Sequence, residues 1–178
     1  MPKTADMIGH RSELLARVVL TRRLNIDVVP FEEGGEMALD FLCTIRDGKV
    51  PGFLLFGVVV RGTATELHGP EDVAKHLSSF RKKLKSRTRY FLPVIVLVFS
   101  MHKDEAFFSW LVEPCEDTGQ LVEVSDLEFK EFDLKELDRM TRRITNWYKR
   151  LEKTVVSDAR EAHCVLPVSL HESPRLSC

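Results

Sequence analysis

A chain of 178 residues is long enough for one domain with a real hydrophobic core and too short for two ordinary ones. Hydrophobic residues make up 44% and charged residues 30%, which excludes wholesale disorder and fits a globular chain. The formal net charge of −1 excludes a globally basic nucleic-acid binder, so any basic surface is local and is offset by acidic regions elsewhere.

Residues from about Gly9 to Leu24 place Leu14, Leu15, Val18 and Val19 on one helical stripe, with Arg11, Arg17, Arg22 and Arg23 largely elsewhere, predicting an amphipathic first helix. The apolar stretch from Ile26 to Phe31 predicts a strand that ends in the glycine-containing turn Glu32 to Gly35. Residues Glu36 to Ile45 alternate, so that Met37, Leu39, Phe41, Cys43 and Ile45 share one face and Asp40 points to the other. Asp47-Gly48 between two apolar runs is a hairpin signal, which makes the next strand antiparallel to the last. That strand, Phe53 to Arg61, is apolar on both faces, as a central strand is.

Gly69-Pro70 opens a helix, with Val73, Leu77, Phe80 and Leu84 marking its buried side to about Ser86. Pro93 precedes the run Val94 to Phe99, the most β-prone in the chain, and Phe91 is expected to enter the core with it. The polar break Met101 to Glu105 leads to a hairpin partner, Ala106 to Val112, and then to a weaker strand, Leu121 to Val124. From the cap residue Asp133 a long helix carries Leu134, Leu137, Met140, Ile144, Trp147 and Leu151. Beyond Ser157 the periodicity fades and prolines follow, so the expected organisation is a single α/β domain over residues 1–157 and a flexible tail over 158–178. The order of elements fits a mixed β-sheet flanked by helices.

Cys43, Cys115, Cys164 and Cys178 lie far apart, without a CxxC pair, and read as free thiols. The stretch Met1 to Leu15 lacks the apolar core of a secretory signal, and no apolar run approaches the roughly 20 residues that span a bilayer. The expectation is a cytoplasmic protein with reduced cysteines and no membrane partner. The six histidines are not at metal-ligand spacing, and there is no Walker loop, dinucleotide fingerprint or nucleophile elbow.

Four segments together carry a resemblance. They are Arg11-Ser12-Glu13-Leu14 on the first helix, Gly34-Gly35-Glu36-Met37-Ala38-Leu39-Asp40, Leu92-Pro93-Val94-Ile95-Val96, and Phe108-Ser109-Trp110. In this order the chain, from about Gly9 to Leu151, resembles the family known as DUF4365, a prokaryotic branch of the PD-(D/E)XK nuclease-like superfamily. The resemblance implies a restriction-endonuclease-like fold, with the catalytic positions falling on Glu13, Asp40, Val59 and Arg61. Such families have Gln or Glu, any residue, then Lys on the strand after the catalytic Asp, whereas this chain has Val59-Val60-Arg61. Positions 59 and 61 share a strand face, as the family's paired polar residues must.

The departure falls on the chemistry. A nuclease of this superfamily holds a divalent ion, usually Mg²⁺, that activates water and stabilises charge growing on the phosphate, while its lysine orients or deprotonates that water. Arg61 keeps its proton at any ordinary pH, although it can grip a phosphate oxygen, and Val59 offers no ligand atom. Glu13 and Asp40 could form half a metal site, with Asp40 the weak ligand that remains. Alternatively, Glu13 is a solvated helix carboxylate and Asp40 pairs with Arg61 across two strands.

The clearest local charge feature is the run Arg81-Lys82-Lys83-Leu84-Lys85-Ser86-Arg87-Thr88-Arg89, with six cations in nine residues. Its Arg81, Lys82, Lys83, Lys85, Arg87 and Arg89 could contact DNA or RNA phosphates with salt sensitivity and no sequence preference, and Tyr90 and Phe91 could stack on bases. A basic helix end also meets the helix dipole favourably, which needs no ligand.

Three functions compete at this level. The first is a nuclease-fold protein that has lost cutting, needs no cofactor, and keeps a nucleic-acid-binding or scaffolding task in a prokaryotic nucleic-acid-processing or defence system. The second is an active Mg²⁺-dependent nuclease with a rearranged site, in which Lys49 or Lys82 takes over the lysine's role. The third is a protein-interaction subunit, self-associating or docked on a companion ATPase through an apolar sheet edge.

Overall fold

A computed structural model of the chain describes residues 4–31, 39–48, 52–77 and 90–163, with side chains of the last helix as far as Thr154. The elements in chain order are helix α1 (Thr4–Leu20), strands β1 (Ile26–Pro30), β2 (Phe41–Ile45) and β3 (Leu54–Thr63), helix α2 (Pro70–His76), strands β4 (Val94–Ser100), β5 (Glu105–Pro114), β6 (Leu121–Glu123) and β7 (Lys130–Glu131), and helix α3 (Leu134–His163). The strands form one mixed sheet in the order β1-β2-β3-β4-β5-β6, with β7 pairing the same outer edge of β5 that β6 uses further along. All neighbours are antiparallel except β3 and β4, which run parallel with Gly57 beside Val94 and Thr63 beside Ser100.

The two apolar-on-both-faces runs are indeed central. β4 is buried throughout, and β3 alternates between two cores. Leu54, Phe56, Val58 and Val60 join Phe41, Cys43 and Ile45 of β2 beneath α1 and α3 on one face, while Val59 lies with Val94, Val96 and Val98 under α2 on the other. Burial of the Cys43 thiol in the first core pushes its pKa up, which keeps it protonated and inert.

Several elements differ from the sequence expectations, each for a local reason. α1 is rotated: Ser12, Ala16, Val19 and Leu20 are buried, whereas Leu14 and Val18 are exposed. Gly62 on β3 and the small Ser12 on α1 let the helix lie close on the strand, where a Cβ at Gly62 would come within 2.8 Å of Ile8 Cγ2 and 3.0 Å of Ser12 Cβ. That contact, rather than the width of the apolar stripe, sets the rotation. In β2 the alternation from Phe41 to Ile45 holds, but Leu39 falls in the opposite core because the chain bends at Asp40. The antiparallel β2–β3 pair has the expected hairpin direction, with Ile45 opposite Leu54, so the connection spans eight residues rather than a two-residue turn.

α2 closes at Leu77, whose N–H bonds the Val73 carbonyl; the remainder of the expected helix, with Phe80 and Leu84, lies outside the described residues. Phe91 does not enter the core but is 74% exposed, because Leu92 and Pro93 take the buried positions before β4. The short β7 had no sequence signal. Asp133 caps α3 by accepting the Glu136 N–H at 2.7 Å, and the helix continues past Ser157 to His163. Residues 164–178 lie outside the described residues. Among the described residues no helix is long and apolar enough to cross a membrane.

Candidate functional site

The bend that redirects Leu39 also creates the most distinctive polar arrangement in the molecule. Asp40 remains tied to both neighbouring strands through its backbone: its N–H donates to the Val58 carbonyl and its carbonyl accepts from the Phe31 N–H, both at 2.9 Å. Beyond it β2 no longer follows β3, and the Val60 N–H would lose its ladder partner. The Asp40 carboxylate substitutes for that carbonyl, with Oδ2 accepting from Val60 N–H at 2.6 Å. Arg61 Nη1 donates to the same oxygen at 3.1 Å and also to the Val60 carbonyl, so its guanidinium closes the end of the strand.

Glu13, Asp40 and Arg61 line one hollow of about 380 Å³ between α1 and the end of β3, together with Ile8, Ser12, Val60, Gly62 and Thr63. Three of the four positions singled out from the sequence therefore converge. The fourth does not: Val59 is fully buried in the α2-side core. A polar side chain at position 59 would have to emerge from that core.

The donor set is a poor match for a divalent ion. Mg²⁺ needs several oxygen ligands near 2.1 Å. The hollow contributes the two carboxylates of Glu13 and Asp40, and one oxygen of Asp40 already accepts two hydrogen bonds, one from a guanidinium whose positive charge opposes a cation. Among the described residues no group of three or more His, Cys, Asp or Glu side chains is placed to hold a metal.

The middle of α1 is tied to the β4–β5 turn. Arg11 Nη2 makes a forked contact to Asp104 Oδ1 and Oδ2 at 2.7 and 3.0 Å, and Asp104 sits at φ 54° in the β4–β5 turn, a conformation that aspartate tolerates. Nearby, Glu66 is drawn below the usual carboxylate range by a hydrogen bond from Lys103 and by His102. This end of the sheet thus carries matched charges rather than a bare basic patch.

A second hollow, of about 250 Å³, lies on β5 and is lined by Trp110, Glu113, Asp126, Glu128 and Lys130. It belongs to a segment, Glu113 to Asp133, with eight carboxylates and Lys130 as its only cation. That charge repels phosphate. The Cys115 thiol in the same segment is lowered, chiefly by a hydrogen bond from the Thr118 hydroxyl.

All six cations of the run Arg81 to Arg89 lie outside the described residues, as do Lys49 and the segment Gly34 to Ala38. The Ser12–Gly62 contact and the exposed Phe53 had escaped the sequence reading. A glycine one residue after Arg61 was the available signal for the first, and nothing in strand alternation signalled the second. A comparison of the chain with protein-family models gave no match, and a comparison with curated proteins gave none either.

Proposed function

We propose that this chain is a restriction-endonuclease-like protein that does not cut, with a nucleic-acid-binding or scaffolding role in a prokaryotic nucleic-acid-processing or defence system. The observation that supports this best is the occupation of the Asp40 carboxylate. It serves as a strand cap for Val60 and a counter-ion for Arg61, so the group that ought to hold a metal is committed to holding the fold. Val59, buried in the opposite core, contributes nothing to the hollow. The mixed sheet with helices on both faces agrees with the fold assignment at the level of architecture.

Catalysis would need a metal cradle and a group able to take or steer a proton. Arg61 keeps its proton and donates to Asp40, and Glu13 sits on the exposed side of α1. Pairing with another protein through the sheet edge is less favoured. On β1 the residues bonded to β2 are the odd-numbered ones, which leaves Ile26, Val28 and Pro30 facing outward. The Ile26 N–H is taken by the Arg23 carbonyl and proline has none, so only Val28 offers an outward amide.

Incubating the protein with plasmid DNA and structured RNA in Mg²⁺ or Mn²⁺ should give no cleavage. A gel shift on the same substrates should weaken steeply with salt, by up to about a thousandfold between 50 and 200 mM if all six cations of the basic run meet phosphates. Lys82→Glu, Lys83→Glu and Lys85→Glu together should weaken binding uniformly across sequences. Metal-dependent cleavage abolished by Asp40→Ala would overturn the inactive reading, and failure of the parent protein to bind any nucleic acid would overturn the binding role.

A further inference from the structure

The stripe of α1 that the sequence groups as Leu14, Leu15, Val18 and Val19 is split by the fold. Leu15 and Val19 pack on the sheet, while Leu14 and Val18 are 51% and 58% exposed. Met7, 61% exposed, lies two turns before Leu14. At helical spacing these three fall within about 40° of one another, on the side of the helix opposite to the buried Ser12, Ala16, Val19 and Leu20. The helix thus carries two apolar stripes, one covered by the sheet and one turned to water over roughly 17 Å. Arg11 falls within the outward stripe without breaking it. Its guanidinium is drawn aside to Asp104 by contacts of 2.7 and 3.0 Å, so the aliphatic stem remains on the stripe.

The charges beside the stripe indicate what covers it. Asp6, His10, Glu13 and Arg17 are all exposed and share one flank, in the order acid, base, acid, base. Reversed, the order is base, acid, base, acid. We propose that α1 is a self-association surface, on which a second copy of this chain lays its own α1 antiparallel about a twofold axis. Arg17 of one copy then meets Asp6 of the other and His10 meets Glu13, each contact being made twice. The same operation sets Met7 against Val18 of the second copy and Leu14 against the stem of Arg11. A parallel copy would instead place Arg11 on Arg11. A single helix pair is a contact at the small end of specific interfaces, so the dimer forms at micromolar rather than nanomolar concentration.

Sedimentation velocity of the full-length protein, from low to high micromolar concentration and without nucleic acid, should show a monomer passing to a dimer. Leu14→Glu with Val18→Glu should hold it monomeric throughout while leaving the thermal midpoint of the dilute protein unchanged, since neither side chain is packed in a core. Arg17→Glu sets two carboxylates together at each end of the seam and should weaken association about tenfold or more. Asp6→Lys added to Arg17→Glu restores unlike charges and should recover the dimer. Both variants lose the Arg17 guanidinium over the Phe41 ring, so recovery cannot come from that contact. A photoreactive benzoylphenylalanine in place of Met7 should crosslink near Val18 of the second copy. A monomer at every concentration, or a dimer that survives Leu14→Glu with Val18→Glu, overturns the surface. Equal loss in the single and double charge variants, or crosslinks joining position 7 to position 7, overturn the antiparallel arrangement.

Discussion

Replacing Asp40 by alanine and by asparagine tests whether this residue caps a strand or holds a metal. Alanine removes the acceptor of the Val60 N–H, a bond of 2.6 Å at a residue only 4% exposed, and orphaning a buried amide costs about 1–3 kcal/mol. It also removes the counter-ion of Arg61. Because the two side chains are 29% and 33% exposed, that loss adds no more than about 1 kcal/mol. The sum is roughly 1–4 kcal/mol, which for a domain of this size lowers the melting temperature by about 2–16 °C. Asparagine keeps an oxygen for Val60 and loses only charge, so it should cost about 1 kcal/mol. Thermal and urea unfolding of the three proteins gives the ranking parent, Asn, Ala. A metal ligand would behave differently, since Asn and Ala would be equally defective in binding the ion and stability would be nearly indifferent to both. Equal stability of the two variants, or a neutral Asp40→Ala, would refute the strand-cap argument.

Two further outcomes follow from contacts around the same hollow and along α1. Gly62→Ala inserts a Cβ within 2.8 Å of Ile8 Cγ2 and 3.0 Å of Ser12, so α1 must move off β3; a loss of about 1–3 kcal/mol is expected in urea unfolding, and wild-type stability would show that α1 adjusts freely. Arg23 hydrogen-bonds Asp138 and holds its carboxyl below the usual range. Because the folded value is the lower one, the pair stabilises the protein above the ordinary carboxylate pKa of about 4 and loses this as pH falls through the folded value. The melting temperatures of the parent and Arg23→Ala should therefore differ near neutrality and converge in acid, whereas a difference that persisted unchanged below pH 3 would exclude the ion pair as its origin.

The strongest structural features were legible in the chain because they rest on local periodicity. Val94 to Phe99 and the run from Phe53 to Arg61 are apolar on both faces, which only a strand between two cores can use, and both are central. The direction of the β2–β3 pair followed from an Asp-Gly step between apolar runs, and α3 from a cap at Asp133 with Leu137, Met140 and Ile144 at helical spacing. An ion pair between Asp40 and Arg61 across two strands was also among the alternatives open before any coordinates, and the pair is present.

Tertiary contacts decided the rest. The bend at Asp40 costs β2 its ladder partner for Val60, and a carboxylate can replace a carbonyl only when the two strands are seen side by side. The rotation of α1 depends on which small residues meet Gly62 across the helix–sheet interface, information that a stripe of Leu and Val does not contain. The exposure of Phe91 depends on Leu92 and Pro93 occupying the buried places first. The short β7 is a strand only because β5 has an outer edge left to fill beyond β6. A sequence specifies which residues prefer burial; the competition among them for a limited interior, and the need of each buried amide for a partner, are settled only when the elements pack together.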